Sequence, residues 1–426
     1  MLNRSVAPDF NPIKPLTLIH PESVKYGNGL EAFVFQAPQQ ELMKFEFVFD
    51  NVFDADEHPL VNTAMAAMLK EGTVSLSSAE IAEKIDFYGA YLIPEYSLDH
   101  TTLTVYTMYK YVDKVLPIVS DVLKNSIFPE KELEIFVRNS KQALQIALQK
   151  NEVLARRLFY QNIFGGNRYG TIPTLESYDE IGRAHLIHLF QRQIHPNNCT
   201  LFVAGNVDAT VLEKVKVYFG EDWQGIAELS GNNLVSLTEM SGKNVLEHKP
   251  EALQSAIRMG SLTVNRTHAD FPAIQFVNTL LGGFFGSRLM RNIREDKGYT
   301  YSIGSAVSSL KHTGFFTLAS EVGVDVTDAT LVEIEREFET LRQEKTKQEE
   351  IDLVFRYLQG GMLGSLESIF SHVDKFKAVY LSNMDLSYYD YYVDVISNMS
   401  PSRVQDIAIR YFDFEKLVKV VVGKKG

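Results

Sequence analysis

The chain has a single cysteine, Cys199, among its 426 residues. No disulfide can form within it, so a covalent framework is excluded and the redox compartment stays open. Basic charge is in short supply too, with a formal net charge of −12. Such a chain has no general electrostatic drive toward nucleic acid. No apolar run approaches the ~20 residues that a membrane-spanning helix needs. The opening residues, MLNRSVAPDFNPIKPL, contain no apolar signal-peptide core. That points to a cytoplasmic location, or a periplasmic one if a leader has been lost.

Core-forming residues are plentiful, at 45% hydrophobic and 11% aromatic. The length predicts two domains of roughly 200 residues each. Residues 5–23 are Pro-dotted and read as an extended arm. VKYGNGLEAFVFQ reads as a hairpin, with Asn28-Gly29 supplying the positive-φ turn positions, and KFEFVFD as a strand. Pro59 fits the first turn of a helix that runs to about Lys70 and ends at Gly72. Ser77 and Glu80 form a capping-box pattern for a second helix, which Gly89 stops. HTTLTVYTMY is a predicted strand, and VDKVLPIVSDVL and 130–164 are predicted helical. CTLFVAG closes the first half as a strand.

Residues 219–247 are rich in Gly, Ser and Asn and lack a sustained period, as a linker would. The second half then repeats the plan. SAIRMGSL is a strand, Asp270-Phe271-Pro272 opens a helix, and Gly298 closes SRLMRNIREDKG as Gly89 closes its counterpart. YTYSIGSAV, GFFTLASEV and the final LVKVVVG are strands, and EIEREFETLRQEKTKQEEID is a solvated helix face and loop. The expected fold class is α+β: two homologous domains from a duplication, each a mostly antiparallel sheet packed with helices. The expected boundaries are 1–220 and 246–426, joined by a linker at 221–245.

Several stretches invite a chemical reading. His185, His188 and His195 lie in HLIHLFQRQIH, where the first pair has helical spacing. No Cys or carboxylate follows in register, and the apolar neighbours favour packing histidines. DADEHP (54–59) gathers carboxylates beside His58, as a loop entering a helix often does. LLGGFFGSRL lacks the Lys-Ser/Thr of a phosphate loop, so its glycines point to close packing or a bend. SRLMRNIREDKGYTYS is more informative. Leu289, Met290 and Ile293 form an apolar stripe, with Arg294 at its margin near the helix end. Beyond Gly298, period-two alternation puts Tyr299, Tyr301 and Ile303 on one face. Aligning Gly89 with Gly298 gives Ile85 and Leu92 as counterparts of Arg294 and Tyr301. One copy has core residues where the other has a guanidinium and a phenol, and burying either without partners is costly.

GSRLMRNIREDKGYTYSIGSA resembles the second-half motif of the insulinase/pitrilysin zinc peptidases, also called inverzincins. EGT…SSAEIAEKIDFYGAYLIPEYSLDHTTLTV resembles the segment that follows their zinc helix. The resemblance covers nearly the whole chain and implies a metallopeptidase-like fold of the LuxS/processing-peptidase type. In that family, H-x-x-E-H precedes a Gly-Thr and supplies two zinc ligands and the residue that works on water. Matching Gly72-Thr73 puts Thr63, Ala66 and Ala67 at those positions. The family's third ligand is a later Glu, where SKQALQIALQKN offers only Leu144 and Gln145. The resemblance therefore implies lost zinc chemistry, with no metal or other cofactor bound by this chain. Arg294 and Tyr301, by contrast, match the family's Arg and Tyr one for one. They are expected to stabilise the oxyanion formed when a peptide carbonyl is attacked. Tyr299, Gly283 and Ser287, in the same region, are expected to bind substrate.

Some members of the family pair a zinc-motif chain with an Arg/Tyr chain. This sequence resembles the latter: the non-zinc-binding subunit of a heterodimeric metalloendopeptidase acting on peptides or unfolded polypeptides. The zinc would sit in a homologous partner, and substrate would add as a strand to a sheet edge. Isolated chains could form a homodimer. Ile93-Pro94 replaces the family's substrate-pairing Asn-Ala, and proline removes an edge donor. The alternative is a catalytically inactive peptidase-fold protein that serves as a binding or assembly subunit. A separate metal site built from His185, His188 and carboxylates is a third expectation.

Overall fold

Met43, Phe45, Phe47 and Phe49 alternate with Lys44, Glu46 and Val48 in one strand, and both sets are buried. A strand that hides both faces needs a layer on each side. The computed structural model describes residues 17–53, 58–225, 237 and 241–424. Most of the expected arm, the acidic part of DADEHP and most of the linker lie outside these residues.

The strands are β1 (Glu22–Lys25), β2 (Glu31–Gln36), β3 (Leu42–Asp50), β4 (Tyr91–Tyr96), β5 (His100–Met108) and β6 (Cys199–Gly205). They form one sheet in the order β1-β2-β6-β3-β5-β4. β7 (Asn244–His248), β8 (Gln254–Thr263), β9 (Thr300–Ser309), β10 (Gly314–Gly323) and β11 (Val418–Gly423) form the other, ordered β7-β11-β8-β10-β9. Apart from β1 the two orders correspond strand for strand. Each sheet has one parallel pair, β2 with β6 and β7 with β11, and is otherwise antiparallel. The α+β class with two mixed sheets packed by helices is the one expected from the repeated pattern.

The local signals act as their chemistry dictates. Helix α1 spans Val61–Met68, and Gly72 ends its exit turn at φ +142°. Helix α2 (Ser78–Phe87) opens with the Ser77–Glu80 capping box, and Gly89 closes it at φ +59°. Two local expectations need correction. Only Gly29 has positive φ in the first hairpin. The Asn28 amide instead donates to the carbonyls of Phe219 and Trp223, at 2.7 and 2.8 Å, tying the hairpin to the end of the first half. The 130–164 segment is also two helices beyond α3 (Val112–Asn125): α4 (Glu130–Ala147) and α5 (Asn151–Phe164). The extended backbone of Lys150 (ψ 127°) separates them.

That break lets the halves exchange helices. α5 leaves the first half and packs on β8 and β11 of the second sheet. The helix Ile369–Tyr380 of the second half packs on β2 and β6 of the first. Gly260 allows the first docking, since a Cβ there would meet the Phe159 ring at 2.7 Å. In the second, Phe33 and Phe202 pack against Phe376 and Tyr380, with the Phe33 and Tyr380 centroids 4.5 Å apart. The polar face of β3 is matched by this helix: Lys44 Nζ bonds Glu46 at 2.9 Å and Asp374 at 3.0 Å, and Lys377 also pairs with Glu46. No helix among the described residues is long and apolar enough to cross a membrane.

Candidate active site

The helical segment from Ser287 leads into β9 and carries the Arg/Tyr positions. Leu289 and Ile293 are fully buried beneath it, and its Met290–Asp296 part is wound as a π-type helix. Arg288 makes a bidentate pair with Glu350 at 2.8 and 2.9 Å. The Asn292 amide donates to Glu333 and Glu337 on the helix Thr327–Gln343. Gly298, at φ +68°, turns the chain into β9, and Tyr299 N donates to Ile293 O. The helix end is therefore fixed against its neighbours before Arg294 is considered.

Arg294 and Tyr301 do meet. The guanidinium lies 5.1 Å from the Tyr301 ring centroid and 4.8 Å from that of Phe285. Each such contact is worth about 0.5–1 kcal/mol at an exposed site. Tyr301 is 86% exposed, so its hydroxyl reaches solvent while Arg294 steadies its ring. Phe285, which sequence reasoning passed over, is the other ring around the cation. Its only signal was an aromatic at the end of a glycine-rich turn.

Strict alternation would have put Tyr301 inside with Ile303, which is 2% exposed. A β-bulge prevents this. Ile303 pairs with Ser320 and Thr300 with Val322, so Tyr301 and Ser302 together oppose Glu321 alone. The extra residue breaks the alternation and re-aims the side chain. Hydroxyls brace it: Thr300 donates to Glu321 O at 2.6 Å, and Ser320 donates to Ser302 O at 3.0 Å. In the first half β4 pairs with β5 residue for residue without a bulge. The aligned residues Ile85 and Leu92 are buried there. The expected shared face of Tyr299, Tyr301 and Ile303 is thus corrected by one inserted residue.

Two hollows flank the pair. One, of about 540 Å³, is bounded by Tyr299, Tyr301, Ser302, Arg258 and Glu152 of α5. The other, of about 530 Å³, runs along β9 past Gly283, Phe285 and Gly304. Both touch Arg258, which lies 3.7 Å from Glu152. Of the expected substrate residues, Tyr299 and Gly283 line this groove. Ser287 is 1% exposed and lines neither hollow. The glycines act as spacers: a Cβ on Gly282 would meet Ser305 Oγ of β9 at 2.5 Å. β9 is also an edge strand, with one ladder side unpaired within its sheet.

The zinc-helix positions present a different surface. Thr63 is exposed, Ala67 half-buried and Ala66 1% exposed. Leu144 and Gln145 lie on α4, which packs against α1. A hydroxyl, two methyls, an isobutyl and an amide do not make a zinc donor set, so these residues do not fit the metal. No group of three or more His, Cys, Asp or Glu able to hold a metal occurs among the described residues. The histidines go to separate local partners. His185 Nδ1 accepts from Gly182 N at the start of its own helix, and its ring lies 5.4 Å from His58. His188 contacts Arg192, and His195 bonds Asn197 and Arg192 O. Burial, then the charge of His185, push His58 below the ordinary histidine range. Pro94 sits within β4, an edge strand of the first sheet.

The fold and site together define a duplicated peptidase-type α+β protein whose zinc-helix positions carry no ligands. Comparison with known proteins agrees. Residues 180–358 match the family model described as peptidase M16 inactive domain. The chain is similar to the uncharacterized zinc protease YmxG of Bacillus subtilis, 24% identical over 317 residues covering 72% of this chain and 75% of that protein. It is also similar to the probable inactive metalloprotease YmfF of the same organism, 22% identical over 198 residues, 46% of this chain and 45% of that one. Its fold matches a peptidase M16 inactive domain from Pseudomonas fluorescens with TM-score 0.84 at 18% identity, over 95% of this chain and 98% of the other. It also matches the periplasmic protease PqqL of Escherichia coli with TM-score 0.79 at 15% identity, over 100% of this chain and 48% of the other. Over residues 180–358 the chain is similar to the peptidase M16 inactive-domain family, and its overall fold is that of such domains.

Proposed function

We propose that this chain is the non-zinc-binding subunit of a heterodimeric zinc metalloendopeptidase acting on peptides or unfolded polypeptides. One observation carries the reading: Arg294 holds the ring of an exposed Tyr301, while the Thr63, Ala66 and Ala67 positions offer no metal donor. A homologous partner bearing H-x-x-E-H would supply the metal-activated water. Here the Tyr301 hydroxyl donates to the oxyanion that forms on the scissile carbonyl. That interaction strengthens as charge develops, so it lowers the barrier more than it tightens substrate. Arg294 fixes the phenol's direction and offers N–H donors to a neighbouring substrate carbonyl. The open edge of β9 would take an extended peptide as an added strand, with backbone bonds giving broad specificity.

The test is reconstitution with a zinc-motif chain. The expected result is peptidase activity that needs both chains and is lost to a chelator. In that mixture Tyr301→Phe keeps the ring over Arg294 and should lower kcat by about 10²–10³ with little change in KM. An unchanged rate would remove the role given to Tyr301. A stable complex with a non-peptidase assembly, and no activity with any zinc-motif chain, would favour the binding-subunit reading.

A further inference from the structure

Away from β9, a cavity of about 440 Å³ opens between the helix Phe271–Asn278 and the helices Ile369–Tyr380 and Ser387–Ser397. Two cations line it, Arg266 and Lys375, and neither has a carboxylate partner among the described residues. Arg266 donates to Ala378 O, and its guanidinium lies 6.0 Å from the Tyr388 ring centroid. Lys375 Nζ lies 5.7 Å from the Tyr389 ring centroid. The one carboxylate on the wall, Asp374, is already taken by Lys44 at 3.0 Å and Lys377 at 3.3 Å. Tyr389 donates to Lys375 O, whereas the Tyr388 and Tyr392 hydroxyls bond no described protein group. Unpaired positive charge is thus concentrated here in a chain whose net charge is −12. Tyr rings and Met362 supply apolar wall for an organic body.

We propose that this cavity binds a small organic oxyanion, a phosphate ester or a carboxylate, with Arg266 and Lys375 as counter-charges and Tyr388 and Tyr392 as hydroxyl donors. The volume falls in the ~300–1,000 Å³ range of small-ligand sites, too large for a lone halide. Burial and the nearby Arg266 charge both push Lys375 below the ordinary lysine range, the state that an arriving anion relieves. Both cations donate charge-assisted hydrogen bonds, the strong kind.

Calorimetric titration of the purified chain at constant ionic strength tests this, using inorganic phosphate, succinate and sodium chloride as probes. Saturable one-site binding of phosphate or succinate, but not chloride, is expected. Phosphate alone would identify a phosphate site, and succinate alone a carboxylate site. Lys375→Met should weaken binding at least about tenfold, as loss of one charge-assisted bond does. Tyr392→Phe, a change of one hydroxyl, should weaken it less and serves if Lys375→Met fails to fold. On the wild-type chain, the bound anion should also protect Lys375 from an amine-acylating reagent, read by peptide mass spectrometry. No saturable binding, equal response to chloride, or unchanged affinity in the folded variants would overturn the proposal. Binding is read on this chain alone, so the outcome is independent of any peptidase partner.

Discussion

At the residue scale, Ala66 carries a methyl where a carboxylate would be needed to work on water. Its methyl is 1% exposed, packed inside α1's neighbourhood. A carboxylate there would be buried without a partner, which costs several kcal/mol unless it takes up a proton. Ala66→Glu should therefore lower the stability of the isolated chain by about 2 kcal/mol or more, read as a drop in urea midpoint at neutral pH. Thr63→His, on the exposed side, should change that midpoint little. Arg294 and Tyr301 were legible in the sequence because the other copy, closed by its own glycine, carries Ile85 and Leu92 at those positions. Phe285 was not legible, since its role depends on how a turn folds over Arg294. Ser287 read as part of the motif, but it is buried in the turn that precedes the helical residues.

At the scale of elements, the bulge in β9 decides which way Tyr301 faces. Period-two reading places Tyr301 beside Ile303, and one extra residue reverses that. The bulge rests on Thr300 and Ser320, whose hydroxyls serve the backbone that the ladder leaves unpaired. Ser320→Ala should cost about 1 kcal/mol of stability. In the reconstituted enzyme it should also lower kcat, because the phenol loses its fixed direction. A loss of stability with kcat intact would show that the bulge does not aim Tyr301. Capping boxes and glycine stops were read correctly from local chemistry at Ser77, Gly89 and Gly298. A bulge has no such local signature here: it arises from pairing with Glu321, 20 residues downstream of Tyr301.

Over the whole molecule, the exchanged helices make the two halves depend on each other. α5 covers the second sheet, and the helix Ile369–Tyr380 covers the first. Phe376→Ala, at the centre of the Phe33–Phe202–Tyr380 cluster, should cost about 3–5 kcal/mol. Calorimetry should still show one transition, because each sheet loses a face when the other half unfolds. A second tie joins the loops. Asp50 on β3 bonds Lys311 at 2.7 Å and His100 at 3.2 Å, while Asp99 accepts from Lys311 N, Arg168 and Tyr169. Burial alone would raise the Asp50 carboxyl, but hydrogen bonds from His100 and Lys311, with the Lys311 charge, hold it well below the usual carboxylate range. A depressed folded value adds stability above the unfolded carboxylate range, and that stability fades as pH falls toward the folded one. Asp50→Asn should thus be less stable than wild type at neutral pH, with the gap closing in acid. A pH-independent gap in denaturant midpoints would exclude this origin.

The sequence by itself determined the elements, their repetition, and which side chains stand at Thr63, Ala66, Ala67, Arg294 and Tyr301. These depend on local rules: periodicity, capping, turn glycines and residue chemistry within a motif. The tertiary structure alone decided that α5 crosses to the other sheet, that Tyr301 turns outward, that Phe285 joins Arg294, and that Arg266 meets Lys375. Each of those depends on groups apart in the chain, from 9 to more than 100 residues in these cases. Such encounters are set by packing and strand register, which no local pattern encodes.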